Sequence, residues 1–246
     1  MPLVSTPALV LQAFPYSDTS KILRLLTPEH GLRSAIARGA LRPKSRYGGL
    51  LEPFTQGVAQ VYLKEGRELH TLSAFDLVRS RQSLGRDLAA FAGASLLAEL
   101  VLRAATEEPA PELFHSVVHA LDAIAAAPAA EVEVAVFAAV WGLVGLLGYR
   151  PRTAECVGCG QPLAPDESVR FDVEGGGAAC ARCRPAGRTL DATSRRELEA
   201  MLRGGFAAAR FERPGLQRAL LRAYLSAHLG QERPLRSLPL LLQQLP

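Results

Sequence analysis

A chain of 246 residues, 48% apolar and 21% charged, is long enough to bury one large core or two to three small ones and has the composition of an ordinary soluble globular protein. No apolar segment approaches the length of a membrane span; the longest candidate, Val132–Leu147, begins beside Glu131 and Glu133 and includes Trp141, Gly142 and Gly145. The net charge of +4 resolves into +6 over residues 1–86, −7 over 87–149 and +5 over 150–246, so a basic head and a basic tail suited to polyanions flank an acidic middle.

The start, Met-Pro-Leu-Val-Ser-Thr-Pro, has neither a basic n-region nor an unbroken apolar run, so the expectation is a cytoplasmic protein. Five short strand-like runs follow. Ala8–Phe14 ends at the turn-prone Pro15-Tyr-Ser-Asp18, and Ile22–Leu26 closes at Thr27-Pro-Glu-His-Gly31. Leu32–Arg38, Val58–Leu63 and Leu69–Val78 complete the set, the last two joined through Glu65-Gly66 as a tight hairpin. Five strands in under eighty residues gain most by leaving no free edge, which predicts a small closed barrel, either of the oligonucleotide-binding (OB) type or SH3-like.

Between Glu29 and Glu52 there is no acidic residue, yet Arg33, Arg38, Arg42, Lys44 and Arg46 all fall there, interleaved with Gly39, Pro43, Ser45 and Tyr47. Cations on an extended, Gly-rich loop can follow a phosphate backbone, and Tyr47 or Tyr62 could stack on an unpaired base. A merely solubilising loop is the competing reading. Arg79, Arg81 and Arg86 extend the basic character past the last strand.

From Leu84 the apolar period lengthens to that of a helix, ending near Thr106 before Glu107-Glu-Pro-Ala-Pro111. Leu113–Ala127 reads as a second helix and Glu131–Gly148 as a third, apolar around most of its circumference and so the buried centre of a bundle. Phe114, His115, His119 and Trp141 are assigned to packing. Leu190–Leu202 reads as a helix with Thr193 or Ser194 as N-cap and Glu197 as the capping-box partner of Ser194. Leu216–Leu229 is another, and the apolar tail Leu235–Leu242 packs back on the helices.

Between the third and fourth helices lie the chain's four cysteines, Cys156-Val-Gly-Cys159 and Cys180-Ala-Arg-Cys183. Each two-residue spacer lets both sulfurs of a knuckle point at a common centre, so the pattern predicts one tetrahedral Zn²⁺ per chain. A disulfide framework would need an oxidising compartment, and a thioredoxin-like pair would need a single Cys-x-x-Cys in a βαβ setting. Four thiolates leave no open position on the ion, so the site is expected to be structural and the protein not an enzyme. Arg195 and Arg196, at the start of the following helix, are a second candidate for phosphate, with a solvated basic turn as the plain alternative.

The order of these parts resembles the RecO family of bacterial recombination mediators. The resemblance rests on the basic Arg38-Gly-Ala-Leu-Arg-Pro-Lys-Ser45 segment after a barrel, on Leu143-Val-Gly-Leu-Leu-Gly-Tyr-Arg-Pro151 ending a helical body, and on the Cys-x-x-Cys pairs that follow. It implies an α+β multidomain chain: an OB-fold barrel over 1–79, an α-helical domain over 80–150 and 190–246, and a four-cysteine zinc-finger insertion over 151–189. It further implies a nucleoid-associated protein that binds single- and double-stranded DNA, anneals complementary strands and, with RecR, loads RecA onto DNA coated by single-strand-binding protein. No membrane partner is expected. Some family members lack the four cysteines, which implies a scaffolding role for the zinc. A zinc hydrolase would want an open site with a His or a general-base Glu nearby, and a sequence-reading factor would want a recognition helix with base-reading side chains, where the helical part of this chain is acidic. A zinc-containing adaptor that bridges protein partners at nucleic acid is the remaining alternative.

Overall fold

In the computed structural model, residues 2–64, 66–204, 209–230 and 233–245 are described; of the expected Glu65-Gly66 turn, Glu65 lies outside them. The chain divides into two compact units, one of Met1–Arg86 with Ala98–Ala125, the other of Asp87–Leu97 with Ala126–Pro246.

The first unit is built on five strands, β1 (Leu3–Pro15), β2 (Lys21–Thr27), β3 (Gly31–Ala37), β4 (Gln56–Tyr62) and β5 (Leu69–Arg79). They close into a barrel in the order β1-β2-β3-β5-β4, the Greek-key arrangement of an OB fold. Closure depends on β1, which pairs with β4 through Leu3–Leu9 and with β2 through Leu9–Pro15. A register shift between Val10 and Gln12 supplies the extra bend that lets one strand serve both partners. A short parallel pairing of Ser34–Ile36 with Leu69–Thr71 completes the ring. Inward positions alternate along each strand, as a barrel requires: Ala8 and Val10, Leu23 and Leu25, Ala35 and Ala37, Ala59 and Val61, with Leu72 and Phe75, form the core.

The β2–β3 turn docks the chain that links two helices, α1 (Leu88–Ala104) and α2 (Pro111–Ala126). Leu32 N–H donates to Thr106 O at 2.8 Å and Ala110 N–H to Pro28 O at 2.9 Å. Gly31 is required there: its φ is +60°, and a Cβ would lie 2.2 Å from Glu108 O. Helix α2 buries Leu113, Phe114, Val117, Leu121 and Ile124. His115 and His119, expected to pack, are instead exposed on its other face.

The second unit is organised around α3 (Val132–Val144), which continues through a π-type turn, Gly145–Tyr149. By length and composition alone, Val132–Tyr149 is apolar enough to cross a membrane, with 18 residues of mean hydropathy 1.9, so the run is longer than the sequence reading allowed. In the fold Phe137, Val140 and Trp141 are fully buried. Trp141 packs on Tyr224 with ring centroids 5.2 Å apart and Phe137 on Phe211 at 5.4 Å, while Glu133 holds Arg218 through two bonds of 2.6 and 2.9 Å. These contacts are those of a core helix, as expected from its all-round apolar surface.

A small sheet follows, β6 (Val169–Asp172), β7 (Gly177–Ala179) and β8 (Arg188–Leu190) in the order β7-β6-β8, then helices α4 (Ala192–Leu202), α5 (Pro214–His228) and α6 (Ser237–Gln244). The cap of α4 differs from the expected one. Asp191 accepts from Ser194 N–H at 2.9 Å and from the Ser194 hydroxyl at 3.1 Å, so the carboxylate, three residues ahead, takes the capping role assigned to Thr193 or Ser194. Glu197 turns away to Gln217 Nε2 and the backbone N–H of Glu212. The apolar tail buries Leu235, Leu238 and Leu241.

Candidate metal centre and nucleic-acid interface

The two cysteine knuckles are tight turns of the same design. Cys156 O accepts from Gly160 N–H at 2.8 Å, and Cys180 O accepts from Arg184 N–H at 3.0 Å. The first knuckle is tied to β7 by Val157 N–H donating to Ala178 O at 2.8 Å. The second is tied to the end of β6 by Arg184, 2.6 Å from Asp172. Gly158 permits the approach of the two turns, since a Cβ there would meet Cys183 Cβ at 2.9 Å.

All four sulfurs consequently lie within 4.8 Å of one another, with Cys156 Sγ and Cys180 Sγ 3.7 Å apart and no disulfide among them. Cys156 is buried while Cys159 and Cys183 are exposed. The Cys180 N–H, 3.3 Å from Cys156 Sγ, heads the donors that hold the Cys156 thiol down at about 6 against the opposing effect of burial. Its neighbours' thiols, Cys159 first, push Cys183 up to about 12. Negative charge is thus favoured at one sulfur and crowded at another, a conflict that a bound cation removes. The cluster is a site that can hold a metal ion.

The basic loop between β3 and β4 is a succession of turns, not the extended segment expected from its glycines. Arg42 N–H bonds Gly39 O, Ser45 N–H bonds Arg42 O, and Gly48 N–H bonds Ser45 O. Tyr47 and Leu51, each 2% exposed, insert into the barrel core, and the Tyr47 hydroxyl donates to Leu72 O at 3.0 Å. This anchor leaves Arg38, Arg42, Lys44 and Arg46 exposed, and none of the four has an ion-pair partner among the described residues. Arg46 lies over the Tyr47 ring at 5.0 Å.

Other sequence candidates fall in different places. Tyr47 is buried and has no face for a base, which corrects its assignment to stacking; Tyr62 is partly exposed at the end of β4. Arg33 is engaged with the carboxylate and backbone oxygen of Glu107. Arg81 is buried and bonds Asp122, Phe54 O and Gln56, so it fastens the barrel's exit and adds nothing to a basic surface. Arg79 is paired with the same Asp122 at 3.0 Å. Arg195, 3% exposed, donates to Ala164 O at 2.7 Å, to Leu163 O at 3.3 Å and to Glu199. Its guanidinium is committed to backbone carbonyls and is withdrawn from phosphate, a correction to its assignment. Arg196 remains exposed beside Thr193. Lys64 and Arg67, within the β4–β5 connection, lie outside the acid-free run that drew attention to the basic loop.

Comparison with known proteins agrees over nearly the whole chain. The family description "Recombination protein O N terminal" matches residues 1–81 and "Recombination protein O C terminal" matches residues 85–239. The DNA repair protein RecO of Anaeromyxobacter sp. (strain K) is 38% identical over 238 residues, covering 93% of this chain and 92% of that protein. Its namesake in Anaeromyxobacter dehalogenans (strain 2CP-1) is 38% identical over 232 residues, 90% of each, and that of Anaeromyxobacter sp. (strain Fw109-5) is 34% identical over 232 residues, 91% and 90%. With both halves matched and an OB barrel joined to a helical, cysteine-bearing unit, the chain belongs to the RecO family of DNA repair and recombination proteins.

Proposed function

We propose that this protein is a non-enzymatic recombination mediator of the cytoplasm. It binds single- and double-stranded DNA, anneals complementary strands and, with RecR, loads RecA onto DNA covered by single-strand-binding protein. The observation that carries the reading is the set of four exposed cations, Arg38, Arg42, Lys44 and Arg46, without an ion-pair partner among the described residues and held on a barrel loop by buried Tyr47 and Leu51. Most other arginines of this unit are spent on carboxylates, as Arg33, Arg79 and Arg81 are. Annealing is opposed by repulsion between two polyanions, so a surface that replaces their counterions lowers the barrier by bringing them together. No bond to substrate need form or break.

Zinc is the metal we assign to the cysteines. A Zn–S bond of about 2.3 Å gives a tetrahedron with an edge of about 3.8 Å, close to the 3.7 Å between Cys156 and Cys180. Bound there, the ion would cross-link the two knuckles, and with four thiolates it would have no position left for water or substrate. Its role is to hold together a segment whose own buried apolar residues are few, chiefly Leu163, Val169 and Phe171.

A strand-annealing assay on the full chain, with and without a zinc chelator, tests both statements. The reading expects annealing well above the spontaneous rate, zinc near one equivalent by metal analysis, and a chelated protein that unfolds at lower temperature but still anneals while folded. Absence of annealing would favour the adaptor alternative, and absence of stoichiometric zinc would remove the metal assignment.

A further inference from the structure

We propose that Cys159 and Cys183 form an oxidation site, at which hydrogen peroxide joins the two exposed sulfurs, one from each knuckle, in a disulfide and so releases the metal ion. The proposal rests on the zinc assignment above. It treats the sulfurs as nucleophiles, and in that respect the four cysteines are not equivalent. Cys156 is 0% exposed, and the backbone N–H groups of Cys180, Gly158 and Cys159 are directed at its sulfur, that of Cys180 from 3.3 Å. Cys180 is half-buried and takes the N–H groups of Cys183 and Arg182. Such bonds draw electron density from a thiolate and make it a poorer nucleophile. The first cysteine of each knuckle is thereby shielded.

The second cysteine of each knuckle, Cys159 and Cys183, is exposed. Its neighbours along the chain are small, Gly158 and Gly160 in one turn and Ala181 in the other. A Cβ at Gly158 would lie 3.2 Å from Cys183 Sγ, so the glycine leaves that side of the sulfur clear. The two exposed sulfurs are also close to each other, within the 4.8 Å that contains all four, and Cys159 is the thiol that acts most strongly on Cys183. Contacts other than the metal keep the knuckles in place. Arg182 donates across the pair to Gln161 Oε1 at 2.7 Å, in addition to the Val157–Ala178 and Arg184–Asp172 ties. An oxidant from solvent therefore meets one accessible sulfur on each knuckle, with the other beside it.

The chemistry balances with peroxide as the oxidant. One of the two thiolates attacks a peroxide oxygen; the O–O bond breaks, hydroxide leaves, and the sulfur, oxidised by two electrons, becomes a sulfenic acid. The other thiolate then attacks that sulfur, the S–S bond forms and a second hydroxide leaves. In sum, two thiolates and one hydrogen peroxide give one disulfide and two hydroxide ions. Only Cys156 and Cys180 are left as ligands, too few to hold the ion. A thiol reductant reverses the step and regenerates the ligand set.

The test is titration of the full, zinc-loaded chain with hydrogen peroxide. Released zinc is read from the absorbance of a chromogenic chelator, and disulfides are located by fragmenting tryptic peptides; cleavage after Arg170 and Arg182 puts the first knuckle, Cys180 and Cys183 on separate peptides. The expected result is a Cys159–Cys183 disulfide as the first to form, with one zinc released for each, and recovery of the metal on adding a thiol reductant and zinc. Iodoacetamide applied to the loaded chain should alkylate Cys159 and Cys183 before Cys156 and Cys180. A first disulfide within one knuckle or at Cys156, alkylation of the inner pair first, or zinc retained after the Cys159–Cys183 bond has formed would overturn the proposal. If zinc is present but peroxide yields no such bond, the oxidation site falls and the metal assignment stands; if the chain as purified carries no zinc, both fall.

Discussion

Tyr47 couples the barrel core to the charged loop through one ring and one hydroxyl. The ring fills space beside Leu51 and Leu72 in the core, and the hydroxyl donates to Leu72 O at 3.0 Å. Removing only the oxygen leaves a buried acceptor unmet, a loss of about 1 kcal/mol. Tyr47→Phe should therefore lower the midpoint of thermal unfolding by about 2–4 °C. DNA affinity of the folded protein should change little, because no base reaches the ring. A large drop in affinity at unchanged stability would return Tyr47 to the binding surface. Arg195 and Arg196 differ in the same way: adjacent arginines at a helix start look equivalent in the sequence, yet one is wrapped by carbonyls and the other is in solvent.

At the scale of elements, β5 and α2 are joined by a charge cluster that makes stability depend on pH. Burial raises the Asp122 carboxyl, but hydrogen bonds and charge from Arg81 and Arg79 outweigh it and hold the group below the usual carboxylate range. A depressed folded-state value means that the contribution is complete above the unfolded value of about 3.9 and is lost as pH falls through the folded one. Asp122→Asn leaves the buried Arg81 guanidinium short of its counter-charge, a cost of about 3 kcal/mol at neutral pH. In urea titrations the gap between wild type and variant should narrow as pH drops from about 5 to about 2; a gap independent of pH would contradict the pairing.

The same scale shows what is legible in the sequence. The five barrel strands, the three helices of the middle and the two knuckles are readable because alternation, helical period and Cys-x-x-Cys spacing are local signals, whereas β6, β7 and β8, of four, three and three residues, are too short to show an alternation. The Asp191 cap escapes a sequence reading because Thr193 and Ser194 offer hydroxyls within the same turn, and only the backbone angles separate them. The burial of Arg81 and of the His70 ring is not readable, since each depends on strands or helices distant in sequence being brought together. The acid-free run between Glu29 and Glu52 directs attention to the basic loop, but not to which of its residues serve as anchors and which are left facing solvent.

For the whole molecule, net charge matters less than where the cations are left unpaired. The chain carries 28 Lys/Arg against 24 Asp/Glu, and many of the arginines are used internally, in ion pairs such as Arg81–Asp122 and Arg218–Glu133. What remains on the barrel loop, Arg38, Arg42, Lys44 and Arg46, is a compact group fixed to a rigid scaffold, and the central claim is that these residues follow DNA phosphates. The most direct measurement is the dependence of single-strand affinity on salt concentration for the wild type and for Arg42→Gln, Lys44→Gln and Arg46→Gln combined. The account predicts weaker binding and a log–log slope shallower by about 2, at about 0.7 for each of three phosphates left without its cation, with thermal stability unchanged. A variant that binds as tightly as the wild type, with the same slope, would contradict it.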